Sequence, residues 1–450
     1  PGMGLRSFLS CVRRSRPTVL VGISLAIWVS RIFPAAFRTV TIKIKLGGGL
    51  SRAPIAKESG AFRGEFTKSN DLAAILFTSG STGPAKGVCY EHGMFEAQVI
   101  AIGRQYGIEE GEVDLPMLPI FALFNPALGM TTVIPEINPS KPATVDPAKI
   151  IQAIRQCDVT NSFGSPVLWK KIGGYCQANG ITLPSLRRIL MAGSSVPPHL
   201  FRDFKEILPQ GVVHSPYGAT EILPVSSIVG EQALEETAEL TERGRGTCVG
   251  KPLPGVEVRI GKISDDWLGK EALEDALPPG EVGEIIVSGP SVTREYDNLP
   301  EATNRSKIRT EDCIWHRMGD LGYLDEKGRL WFCGRLAERI QIGKKTYLTD
   351  CCEGVFNALP DVYRSALVSL EKDGERVPCM AIQPRQGTFP KTRLERNQFI
   401  EGLKKAAAST GMTGDIREFV FRKTFPVDVR HNAKINRIEL ARLLRRKVAD

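Results

Sequence analysis

No C-x-x-C pair occurs in the chain, and its ten cysteines are scattered apart from the adjacent Cys351 and Cys352. A disulfide framework and a zinc site both need paired spacings, so the thiols read as reduced and cytosolic, and a cytoplasmic location is expected. The five histidines never fall into H-E-x-x-H, and a catalytic metal held by protein ligands alone is not expected. No G-x-S-x-G elbow is present, which argues against a serine hydrolase. Internal repeats and low-complexity tracts are also missing. Formal net charge is +9, but Lys and Arg are spread along the chain, densest at 13–16 and 442–447. Without a clustered stripe or a base-reading module, a nucleic-acid partner is not expected. The apolar run at 18–29 follows three arginines, as a signal peptide would. It is shorter than the ~20 residues of a spanning helix, and no convincing A-x-A site follows it. It is read as a buried strand running into a helix, and no transmembrane segment is expected.

What remains is ordinary globular composition: 450 residues, 42% hydrophobic and 24% charged, enough for two or three domains. A polar, Gly-containing connector at 47–70 leads to the apolar run 71–77, read as a buried strand. Beyond it, short apolar strands alternate with helical patterns, among them a helix at 147–157, a strand at 188–192 and a helix at 198–208. That alternation predicts α/β layers with parallel strands. Between about 245 and 335 short strands are separated by Gly/Pro/Asp turns, which predicts a β-rich subdomain. The last 110 or so residues carry their own strands and helices, the texture of a small separate domain.

The densest chemical signal is Thr78-Ser79-Gly80-Ser81-Thr82-Gly83-Pro84-Ala85-Lys86-Gly87. Glycines let backbone N–H groups wrap an anion, hydroxyls add donors and the lysine adds charge, all directly after a strand. It is not a Walker A loop, because Ala85 rather than Gly precedes Lys86 and Gly87 follows it. The alternative is a flexible polar loop.

This loop resembles the phosphate loop of the adenylate-forming superfamily, which includes acyl-CoA synthetases, luciferases and peptide-synthetase adenylation domains. Four more segments match in the same order. Met191-Ala192-Gly193-Ser194-Ser195-Val196-Pro197 is similar to the Gly-rich turn beside adenine and the acyl pocket. Tyr217-Gly218-Ala219-Thr220-Glu221 is similar to the segment whose ring packs on adenine, whose threonine meets phosphate and whose glutamate helps hold Mg²⁺. Met318-Gly319-Asp320-Leu321-Gly322-Tyr323 and Gly334-Arg335 resemble the pair that reaches the ribose hydroxyls. Lys434, in Arg430-His431-Asn432-Ala433-Lys434-Ile435-Asn436-Arg437, occupies the place of the lysine that neutralises charge as a carboxylate attacks the α-phosphate. Taken singly, each has a plainer reading: an ordinary turn, a strand-to-helix loop, a turn aspartate, a surface arginine or a solvated lysine. Their order is the specific feature.

The resemblance implies an α/β fold: a large N-terminal domain of layered α/β subdomains plus a β-rich subdomain, then a small mobile α+β C-terminal domain. The expected division is 1–334, a hinge at 335–337, and 338–450 carrying the catalytic lysine. It implies Lys434, Thr220 and Glu221 as catalytic, with Glu221 on the metal. It assigns Thr78, Ser79, Gly80, Ser81, Thr82, Gly83, Lys86, Gly193, Ser194, Tyr217, Gly218, Asp320 and Arg335 to ATP and AMP. ATP and Mg²⁺ are the implied cosubstrate and ion. Excess positive charge suits such a site. The stretch before the phosphate loop is shorter than in a typical member, so the large domain is expected to lack its N-terminal part.

Three departures narrow the resemblance. The hinge position holds Ala337 where Asp or Lys is common. The lysine motif has Ala433 in place of Gly. Residues 118–129 are apolar where relatives often place a histidine. The last two resemble the β-lactone synthetases of bacterial olefin biosynthesis. These activate long-chain 2-alkyl-3-hydroxy acids and need no CoA, and they imply other olefin-biosynthesis enzymes as partners. The alternatives are a long-chain fatty-acyl-CoA synthetase, which would use CoA, and an inactive truncated homologue. His431 is one candidate base for ring closure. Apolar residues at 121–130 and 163–169 either line an acyl pocket or belong to the core. The basic helix at 438–448 either packs on its own domain or meets a membrane surface or a partner.

Overall fold

The computed structural model describes residues 4–47, 64–78, 85–138, 144–266, 269–427 and 434–448. Among these, a twelve-stranded mixed sheet forms the frame of the large domain. One half is parallel: Val113–Asp114, Asn161–Gly164, Arg188–Met191 and Val212–Ala219 run side by side in the same direction. Every residue of Asn161–Gly164 and Arg188–Met191 is buried, as strands covered on both faces must be. Helices Pro147–Gln156, Pro166–Ala178 and Pro198–Ile207 accompany them, the first and third close to the positions expected from sequence. Each begins with Pro at its first turn. Asp146 and Ser165 cap the first two through side-chain oxygens that accept from Ala148 N (3.0 Å) and Leu168 N (3.5 Å). Their apolar faces meet the sheet in one large cluster. Within it Trp169 and Phe204 pack edge to face at 5.4 Å.

At Val212–Ala219 the sheet changes character. The next strand, Ile222–Val229, runs antiparallel to it. From there to the far edge the pairing stays antiparallel through Thr247–Pro252, Leu330–Arg335, Ile314–Leu324, Gly283–Ser288 and Glu257–Gly261. This is the β-rich region expected between 245 and 335. The chain after Leu336–Glu338 builds a three-stranded sheet from Val362–Lys372, Glu375–Pro384 and Glu418–Phe421, with helices Thr349–Asn357, Arg393–Ala407 and Arg437–Val448. It has two apolar clusters of its own. Leu440 and Leu444 of the last helix are fully buried in one of them, so that helix packs on its own sheet.

Two expectations about the N-terminal third need correcting. The run at 18–29 does form a strand, Val19–Ile23, leading into a helix, Ser24–Ile32, but it is not buried. Among the described residues the strand pairs only with Ile42–Leu46, and Ile23, Leu25 and Trp28 are each about 60% exposed. An apolar run selects the strand; it does not supply a second layer to cover it. Likewise Leu72–Phe77 is a strand, but mostly half-buried. It pairs antiparallel with Gly87–Glu91 in a separate two-stranded sheet rather than joining the parallel half.

Candidate active site

The ends of three adjacent parallel strands define the site. Gly193 and Ser194 follow Arg188–Met191, Thr220 and Glu221 follow Val212–Ala219, and Ser165 follows Asn161–Gly164. In open α/β sheets, ligands bind outside the carboxyl ends of the strands where strand direction switches, and here the switch falls at Val212–Ala219. Gly193 has φ of 99°, a left-handed value that a side chain would strain.

Asp320 is the electrostatic centre. It lies on Ile314–Leu324 directly opposite Arg335 on the neighbouring antiparallel strand. Its Oδ2 accepts a 2.6 Å hydrogen bond from Tyr217 Oη, and its Oδ1 is 3.0 Å from Arg335 Nη1. The carboxylate is 3% exposed, and burial raises its pKa; the nearby positive charges of Arg335 and Lys434 act in the opposite sense. Oδ1 is buried yet has no aligned hydrogen-bond donor. An acceptor in that state, beside an arginine, fits a ribose hydroxyl. Burial and the neighbouring carboxylate push the Tyr217 phenol well above its ordinary range, so it remains a donor.

The Thr220–Glu221 turn is held from three sides. Tyr90, on the strand after the phosphate loop, donates its hydroxyl to the Thr220 carbonyl. Thr293 donates to the Glu221 carbonyl through both its N–H (2.9 Å) and its hydroxyl (3.0 Å). Tyr296 Oη donates to Glu221 Oε1 at 2.7 Å, and Lys86 Nζ sits 4.6 Å from the Tyr296 ring centroid. At the base of the phosphate loop, Thr78 N donates to the Lys86 carbonyl (3.0 Å) and Lys86 N to Thr78 Oγ1 (3.1 Å). The loop residues themselves, Ser79, Gly80, Ser81, Thr82 and Gly83, lie outside the described residues, as does His431. Among the described residues, no group of three or more His, Cys, Asp or Glu side chains could hold a metal. A single carboxylate at Glu221 fits an ion that takes most of its ligands from water and substrate phosphates.

Lys434 reaches this centre from the small domain. It stands at a bend just before Ile435, which bridges antiparallel to Val427, and Asn436 N donates to the Pro426 carbonyl (2.9 Å). Three residues on, Arg437 spans two carboxylates: Nη2 meets both oxygens of Glu353 at 2.7 and 2.9 Å, and Nε is 3.5 Å from Glu338. Asp350 links the small domain to the large one. Its buried carboxylate accepts from Ser195 Oγ (2.8 Å), in the Gly193 turn, and from Thr247 Oγ1 (2.6 Å). Gly334 has φ of 129°, and a Cβ there would collide with Thr349. Only glycine lets the small domain's first helix come so close.

The structure therefore gathers Thr78, Lys86, Gly193, Ser194, Tyr217, Gly218, Thr220, Glu221, Asp320, Arg335 and Lys434 around one crevice. Sequence reasoning missed Tyr90, Thr293, Tyr296, Lys307 and Asp350. They stand in segments without a recognisable pattern and act by supporting motif residues. Arg437 stood inside the quoted lysine motif, without a role. On the acyl side, Phe121 and Phe163 stack with centroids 3.7 Å apart, in a cluster with Tyr106, Leu118, Leu190 and Ala192 that runs up to Gly193.

A two-domain α/β frame with these side chains at its switch point is the architecture of a nucleotide-dependent acid-activating enzyme. The chain belongs to the family of AMP-binding enzymes, whose model matches residues 7–297. It is 41% identical to the olefin beta-lactone synthetase of Stenotrophomonas maltophilia, over 98% of this chain and 80% of that protein. It is 39% identical to the olefin beta-lactone synthetase of Xanthomonas campestris pv. campestris, with the same coverage. Among solved structures, ATP-bound MatB from Rhodopseudomonas palustris superposes with a TM-score of 0.77 at 20% identity, covering 98% of this chain and 82% of that one. The O-succinylbenzoate CoA synthetase of Bacillus subtilis, in complex with ATP and magnesium ion, does so with 0.73 at 22%, again over 98% and 82%. These two likenesses show the fold. Among the described residues, no helix is long and apolar enough to cross a membrane.

Proposed function

We propose that this protein is an AMP-forming β-lactone synthetase acting on a long-chain 2-alkyl-3-hydroxy acid. The observation that carries the reading is its 41% identity, over nearly the whole chain, to a protein named olefin beta-lactone synthetase. In the first step a carboxylate oxygen of the acid attacks the α-phosphorus of ATP. A new P–O bond forms, the bond to the β-phosphate oxygen breaks, and pyrophosphate leaves. In the second, the substrate's 3-hydroxyl oxygen attacks the acyl carbon, the hydroxyl loses its proton, and the acyl–oxygen bond to AMP breaks. The product is a four-membered lactone. The nucleophile is already tethered, so orientation stands in for a second binding event.

Asp320 and Arg335 take the ribose, Tyr217 packs on the adenine while its hydroxyl fixes Asp320, and the phosphate loop with Thr78, Lys86 and Thr220 takes the triphosphate. Mg²⁺, held by Glu221 and the phosphates, would neutralise charge on the triphosphate. Lys434 stabilises charge at the α-phosphate as the carboxylate attacks. The Phe121–Phe163 wall lines the acyl chain. Residues 335–337 serve as the hinge between 1–334 and 338–450. The cytoplasm, beside the enzymes that supply the hydroxy acid and consume the lactone, is the proposed setting.

Product analysis with Mg·ATP and a 2-alkyl-3-hydroxy acid, with and without CoA and against Lys434→Ala, tests this. The reading requires AMP and β-lactone without CoA, and a loss of about 10²–10³-fold in the variant. A thioester formed only with CoA contradicts it in favour of an acyl-CoA synthetase. No AMP under either condition would point to another acid or to an inactive protein.

A further inference from the structure

Lys307 is the one lysine of this region that no motif accounts for. It opens the strand Lys307–Arg309, opposite His316 on Ile314–Leu324, and is 4% exposed. Its Nζ donates to Thr293 Oγ1 at 3.2 Å. Thr293 in turn donates its hydroxyl to the Glu221 carbonyl at 3.0 Å. A relay thus runs from the buried ammonium through one hydroxyl to the backbone of the turn that carries Glu221. Among the described residues, no carboxylate forms an ion pair with Lys307. The charges that act on it are Glu221, which favours its ammonium, and Lys86 and Arg309, which oppose it. The imidazole beside it, His316, is itself held neutral, chiefly by burial and then by Lys307. Burial lowers its pKa to about 7, as the cost of a buried ammonium without a paired carboxylate requires. The relay to Thr293 needs only an N–H donor, which the amine keeps in either protonation state.

We propose that Lys307 is a positioning residue for Mg·ATP, holding Thr293 against the Glu221 carbonyl. This rests on the adenylate-forming reading of the same site. Lys307 touches neither the acid nor the α-phosphate. It fixes the turn that presents Glu221, so its loss acts on binding of the Mg²⁺ complex more than on ATP alone.

The test is calorimetric titration of the full chain with ATP, in the presence and absence of Mg²⁺, for wild type, Lys307→Met and Lys307→Arg, with thermal midpoints in parallel. Replacing a residue that orients a metal ligand typically lowers affinity 10- to 100-fold. Lys307→Met is expected to weaken Mg·ATP about tenfold or more, with a smaller change for ATP alone, while Lys307→Arg keeps most of the affinity. If Lys307→Met does not fold, Thr293→Val cuts the relay with the lysine in place and must show the same selective loss. Wild-type Mg·ATP affinity in a folded variant overturns the proposal. So does a fall in thermal midpoint with the Mg²⁺ dependence unchanged, which is the outcome of a packing role alone. Should the wild type bind Mg·ATP but make no AMP, the proposed reaction fails while the comparison still decides the role of Lys307.

Discussion

Tyr217 and Arg335 converge on Asp320, and their contacts do different work. Arg335 supplies charge along the strand pair; Tyr217 supplies an aligned donor at 2.6 Å to an oxygen sealed from water. Removing one partner of a buried hydrogen bond costs about 1–3 kcal/mol, because the other is left unsatisfied. Tyr217→Phe keeps the ring for adenine and loses only the donor. Its KM for ATP is expected to rise about thirtyfold, on the middle of that range, with a smaller change in kcat; an unchanged KM would show that the bond does not position the ribose acceptor. At this scale the sequence was informative through the order of its motifs. Asp320, Glu221 and Lys434 could be named from the ordered resemblance to the family, since taken singly each reads as a turn residue or a solvated lysine. Tyr296 and Lys307 could not. Each acts through another residue, and nothing in the Arg294–Glu295–Tyr296 or Ser306–Lys307 steps distinguishes a buried support from a surface polar residue.

Among the elements, the strand at 188–192 and the helices at 147–157 and 198–208 were legible from apolar periodicity, whereas the helix Pro166–Ala178, capped by Ser165, was not. The strand Val113–Asp114 shows what such patterns omit. Asp114 is buried there and accepts from Asn125 Nδ2 (2.8 Å) and Asn161 Nδ2 (2.5 Å), tying the strand to its neighbour Asn161–Gly164. Burial raises its pKa to about 6, against the pull of the two amides. A carboxyl whose folded pKa lies above its unfolded one contributes stability that is complete below about 4 and is lost as pH rises through 6. The stability of wild type relative to Asp114→Asn, from urea unfolding, is therefore expected to decline between pH 4 and pH 7. A difference that stays constant across that interval would mean that Asp114 ionises in the fold as it does in the unfolded chain. The exposed strand Val19–Ile23 carries the opposite lesson. An apolar run selected the right element, but burial depends on what packs over it, which no local pattern encodes.

For the whole molecule, the decisive feature is how two domains bring Lys434 to Asp320. The seam combines polar links, Asp350 to Ser195 and Thr247 and Arg339 to Asp265, with apolar packing, since Leu348 and Cys351 of the small domain are buried in the large domain's main cluster. This seam sets where Lys434 stands relative to Asp320, whose carboxylate feels its charge. If ring closure follows in the same crevice, both bonds to the acyl carbon's oxygen partners change without a second cosubstrate entering. The most direct measurement follows the atoms. The hydroxy acid, carrying oxygen-18 in both carboxylate positions, is incubated with enzyme, ATP and Mg²⁺ in the absence of CoA, and AMP and lactone are analysed by mass spectrometry. The account predicts one label in the AMP phosphate and one in the lactone carbonyl, with the ring oxygen unlabelled. Unlabelled AMP, or a lactone retaining both labels, would contradict it.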